Sequence, residues 1–180
     1  SLAGDVPLSP ASFLTKGSAM TATGSHGCGR PHHGGYDGMG IGALDPRMLC
    51  TLTVARYFFQ SFAVPQLEGW TRALSGAEHL LGRDAAPGFA CAVLRVVQAM
   101  RRSRKSVFHF SNPDCSNCAA RLSGHERLLL NALRATLEDR PDNAEGHAML
   151  LCEGNDTSEF LEEVEALARM MEARPHRVLN

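Results

Sequence analysis

Residues 45–62 read DPRMLCTLTVARYFFQSF. Asp45 followed by Pro46 supplies an N-cap and a first-turn proline, the pair that starts a helix. Met48, Leu52, Ala55, Phe59 and Phe62 then recur at spacings of four and three, which gathers them on one helical face. Pro65 ends the run. The period returns at once: Leu67, Trp70, Leu74, Ala77 and Leu81 predict a second helix with those residues inward, closing near Gly82. Pro87 opens a third, with Phe89, Val93, Val96, Val97 and Met100 apolar. It ends in Arg101, Arg102, Arg104 and Lys105, cations placed where a helix C-terminus favours them.

Working outward from these three segments, the helical period fails over residues 107–121, VFHFSNPDCSNCAAR. Val107 to Phe110 read as one short extended piece, and Asn112-Pro113-Asp114 as a turn. Ser123 and Glu126 then have the S-x-x-E spacing of a capping box and open a fourth helix carrying Leu129, Leu130, Leu133 and Leu137. Pro141 begins a fifth, ending near Gly154. Asp156 or Thr157 caps a sixth, with Phe160, Val164, Leu167 and Met171 inward, and Arg174-Pro175 stops it. Period-two alternation is confined to 107–110. The expectation is therefore an all-α domain of about six short helices, with a cysteine-bearing irregular loop between two three-helix halves.

The expected organisation is a flexible Gly/His-rich arm over residues 1–43, a single helical domain over 44–174 and a tail over 175–180. Residues 17–43 hold His26, Cys28, His32 and His33 among glycines, with little to bury. Residues 1–19 have no basic stretch leading into an apolar one, so they do not read as a secretory signal, and Met20 is the expected natural start. Two lysines stand against 16 arginines in 180 residues, a bias of GC-rich bacterial genomes. A net charge of -1 argues against a strongly basic nucleic-acid binder. Apolar runs fall well short of the roughly 20 residues a membrane span needs. With no secretory signal, the six cysteines are read as thiols of a reducing cytoplasm.

The one constellation with chemistry is Cys115-Ser116-Asn117-Cys118. A two-residue gap lets two thiolates turn toward one point, as tetrahedral zinc requires, and His109 and His125 lie close enough in sequence to complete a closed Cys2His2 site. A thiol-redox pair or an iron–sulfur site with further cysteines competes with structural zinc. Cys50 and Cys91, set among apolar neighbours, read as core residues.

Arg101, Arg102, Arg104 and Lys105 form the one basic patch, with Glu159, Glu162, Glu163 and Glu165 as an acidic counterpart that can attract it. Nucleotide-loop, zincin and nucleophile-elbow motifs are absent from the sequence. The expected function is a bacterial regulatory or adaptor module with a structural zinc knuckle. It would bind a protein partner, or itself, through the arginine patch and the cysteine loop. A DNA-binding regulator and a CxxC redox protein or sensor are the alternatives.

Overall fold

The computed structural model describes residues 20–23 and 40–173. The expectations for residues 1–19, 24–39 and 174–180 lie outside the described residues. Strand β1 is Met20–Thr23, and it lies inside the stretch read as an arm. The helices are α1 Pro46–Ala63, α2 Gly69–Leu81, α3 Ala86–Ser103, α4 Ser116–Ala119, α5 Gly124–Leu137, α6 Pro141–Leu151 and α7 Ser158–Glu172, with strand β2, Phe108–Ser111, between α3 and α4. The fold is all-α in its bulk: six of the helices run from 11 to 18 residues. β1 and β2 pair in parallel, Met20 opposite Phe108 and Thr23 opposite Ser111.

The helix boundaries follow their punctuation. Asp45 Oδ1 accepts from the backbone N–H groups of Arg47 and Met48 and so fills two of the donors a helix start leaves free. Ser123 and Glu126 form both halves of their capping box. Gly82 and Gly154, at positive φ, follow α2 and α6, where a side chain would be strained. Glu68 takes the same left-handed region, φ 45°, between a 3-10 turn at Pro65–Leu67 and α2. That residue re-aims the chain after α1.

α1 is the central helix. Its buried residues include Met48, Leu52, Val54, Ala55, Phe58 and Phe59, which do not fit one stripe. A helix buried on nearly every side loses the one-faced pattern that sequence reading looks for. α1 packs on α2, α5 on α6 and α3 on α7, and the α3–α7 contact joins the two expected halves into one core. Phe108 and Phe110 of β2 bring their rings to 4.4 and 5.6 Å from that of Phe59. Where α1, α3, α5 and α7 meet, the apolar gap beside Ala55, Val97, Leu133 and Val164 is about 10 Å³. That is far below the several hundred Å³ of a small-molecule pocket.

Candidate functional site

The loop carrying Cys115 and Cys118 is fastened to the core by a pair the sequence did not point to. Arg56 of α1 is 4 % exposed and Glu126 of α5 is 0 % exposed. Arg56 Nε donates to Glu126 Oε1 at 2.7 Å and one terminal nitrogen to Oε2 at 3.0 Å. The same guanidinium donates to the carbonyls of Ala119 (2.7 Å) and Arg121 (2.5 Å). The carboxylate in turn accepts the backbone N–H groups of Ser111 (3.1 Å) and Ser123 (2.8 Å). One buried ion pair thus holds both ends of the loop, and its charges are satisfied by fixed donors and acceptors, as burial demands. The middle of the loop is tied as well. Asp114 accepts from Gln60 of α1 at 2.7 Å and from Arg72 of α2 at 2.5 Å.

Cys115 is the N-cap residue of α4 and Cys118 lies inside it; both are half-buried free thiols. His109 and His125 form a second pair, ring centroids 5.4 Å apart. The backbone N–H of His109 donates to His125 Nδ1 at 2.9 Å, so that nitrogen is an acceptor and its imidazole neutral. Burial, then the charges of Arg104 and His109, lower the His125 pKa to about 4, against a raising effect of Glu153. The four expected ligands therefore stand as two pairs. Among the described residues no three His, Cys, Asp or Glu side chains converge as a metal set.

The arginine cluster is largely consumed inside the fold. Arg104 is 4 % exposed; it donates to the Leu151 carbonyl and to Ser106 Oγ, and pairs with Glu153 at 2.9 Å. Its expected place on a docking surface is corrected by that burial: the side chain bridges the end of α3 to the end of α6. Arg101 lies 3.8 Å above the Phe62 ring and donates to Gln98. Arg102 pairs with Glu159 and Arg95 with Glu163, so the basic and acidic faces meet within the chain, between α3 and α7. The Lys105 side chain lies in the exposed class. Glu153 accepts from Ser106 Oγ and from the backbone N–H groups of Lys105 and Ser106. The Ser106 hydroxyl foremost, together with these and Arg104, lowers its pKa to about 2.

The surface that stands out is on α2, and there the sequence expectation is overturned. Leu67 is 46 % exposed, Trp70 51 %, and Leu74 and Leu81 38 % each; of the residues expected inward only Ala77 is buried. The face against α1 is instead Gly69, Ala73 and Ala77, one turn apart. A Cβ on Gly69 would stand 2.4 Å from the Tyr57 carbonyl oxygen and 3.0 Å from Ser61 Oγ. The two backbones approach too closely for any larger residue on that face. At ~100° per residue, Trp70, Leu81 and Leu74 fall within an arc of ~40°, just beside the buried one. The bulky apolar residues are turned outward because the small ones are needed inward. Cys91 is also corrected: it is exposed on α3, whereas Cys50 and Cys152 are buried.

Comparison of the chain with protein-family models, with curated proteins and with solved structures finds no match. Among the described residues no helix is long and apolar enough to cross a membrane.

Proposed function

We propose that this chain is a helical interaction module, of regulatory or adaptor type, whose working surface is the outward face of α2. The observation that carries this reading is the exposure of Leu67, Trp70, Leu74 and Leu81 together on a helix that Gly69, Ala73 and Ala77 clamp to α1. Scattered exposed leucines are ordinary, but a contiguous apolar stripe around a tryptophan is the composition of an interface centre. Its rigidity counts too, since a face already held in place loses little freedom on binding. The arginine cluster, which the sequence offered for this role, is engaged with Phe62, Gln98, Glu159, Leu151 and Glu153.

The test is site-specific photo-crosslinking in cells that make the protein. A benzophenone side chain at position 74 is expected to give one discrete adduct, and the same group at Ser75, exposed but off the stripe, none. Equal, diffuse labelling from both positions would refute the reading.

The cysteine pair supports a second reading, a structural zinc at Cys115 and Cys118. Both thiols are unbridged and half-buried, in a loop whose ends and middle are tied to α1, α2 and α5, so their placement is preset. Elemental mass spectrometry of freshly purified protein decides it. One zinc per chain with two thiols protected until chelation supports the site. No metal with two fast thiols or a disulfide replaces it with redox chemistry.

A further inference from the structure

We infer that the occupant of the α2 face is a second copy of this chain, in a two-fold, antiparallel pairing of α2 with α2. This rests on the reading of that face as a docking surface and names its partner.

Three features of the face select a second copy. The first is area. The exposed parts of Val64, Leu67, Trp70, Leu74 and Leu81 amount to roughly 400 Å² of apolar surface, the size at which a patch marks an interface. Doubled by a two-fold axis, they hide about 800 Å², and a polar rim brings the total to about 1,200 Å², the lower bound for a specific complex. The second is charge. On the helical wheel Glu78 sits at the margin of the stripe, while Arg72 lies about 180° away from the stripe's centre and is paired with Asp114. A strongly charged partner therefore finds no complement on the stripe, and a copy of it meets no repulsion at its centre.

The third feature is spacing. Leu67, Trp70, Leu74, Ala77 and Leu81 alternate by three and four, the seven-residue repeat with which one helix packs along another. Reversed about its own middle, the stripe matches itself: Trp70 meets Leu74 of the second copy, Leu74 meets its Trp70, and Leu67 lies over its Ala77. A large residue facing a small or medium one at each level is what an isologous contact requires, because each pair occurs twice. An interface of this modest size gives a dissociation constant in the micromolar range, a dimer that forms and dissolves with concentration.

The experiment uses the full chain. Sedimentation equilibrium is read from low micromolar to millimolar concentration together with the emission of Trp70, the single tryptophan. The wild type is expected to pass from monomer to dimer while Trp70 emission moves to the blue in step. Leu74→Glu and, separately, Trp70→Lys are expected to raise the dissociation constant at least tenfold; both positions are exposed, and unchanged circular dichroism checks folding. Mixing the two variants is expected to restore a heterodimer, since the register sets the introduced carboxylate of one chain against the introduced ammonium of the other while the second Trp–Leu pair is kept. Only the Leu74→Glu chain then carries a tryptophan, and its emission reports the pairing.

A wild type that stays monomeric at every concentration overturns the inference, as does a dimer that Leu74→Glu leaves intact. A monomer that still gives a discrete heterologous adduct from position 74 would overturn self-pairing and leave the interaction module standing. A monomer with no adduct would remove both.

Discussion

Glu126→Ala is the substitution that tests the internal architecture most sharply. It leaves the Arg56 guanidinium, 4 % exposed, without its carboxylate. Breaking one side of a buried ion pair costs about 3–5 kcal/mol. The backbone N–H groups of Ser111 and Ser123 lose their acceptor as well, each at about 1–3 kcal/mol if no water reaches it. Partial hydration of the new space offsets some of this, so a loss of about 5 kcal/mol is expected, a large share of the roughly 5–15 kcal/mol of a typical domain. At this chain length it lowers the melting temperature by about 10–20 °C.

The informative comparison is Arg56→Met with Glu126→Leu. Replacing both members of a buried pair by apolar residues is often neutral or stabilising. Here it is not expected to be, because the pair also serves four backbone groups, Ser111 and Ser123 N–H and the Ala119 and Arg121 carbonyls. The double variant should remain at least about 3 kcal/mol below wild type, though above the sum of the single losses. Chemical denaturation measures the energies, and hydrogen exchange at Ser111 and Ser123 shows whether the loop has been released. A double variant as stable as wild type, with both amides still protected, would refute the view that this pair holds the cysteine loop.

Gly69→Ala forces α2 away from α1, since its methyl would stand 2.4 Å from the Tyr57 carbonyl; a loss of about 1–3 kcal/mol is expected, and an unchanged denaturation midpoint would contradict the close approach. Acid should weaken the fold through His125. Its folded pKa is lowered from 6.5 to about 4 by burial, Arg104 and His109, so the unfolded chain takes up the proton first and stability falls as pH drops from about 6.5 toward 4. The loss reaches up to about 3 kcal/mol, and His125→Asn, which keeps an acceptor near the His109 N–H, should flatten that part of the profile. Thiol labelling should find Cys91 before Cys50 and Cys152. Burial pushes the Cys50 thiol up to about 11 and raises that of Cys152, whereas Cys91 is exposed. Mass mapping that finds Cys50 labelled as fast as Cys91 in the native protein would overturn the assignment.

The sequence by itself determined the helices and where they start and stop, because those signals are local. A proline one residue past a capping aspartate at Asp45, or a serine three residues before Glu126, acts within a single turn whatever surrounds it. It also placed the extended piece before the cysteines, and the inner face of α7, where large apolar residues recur on a helix with one buried side. The tertiary structure decided which face of a helix is inside when two helices touch backbone to backbone. On α2 the spacing of Leu67, Trp70, Leu74 and Leu81 pointed inward, but Gly69, Ala73 and Ala77 are buried, because only small residues allow that approach to Tyr57 and Ser61. It likewise decided the use of charge. Glu126 was legible as a cap, yet its second partner, Arg56, lies 70 residues away, and Arg104 ended inside the fold while its neighbours in sequence paired across α7. Contacts between residues distant in sequence depend on how the helices pack, and a one-dimensional pattern carries no record of that packing.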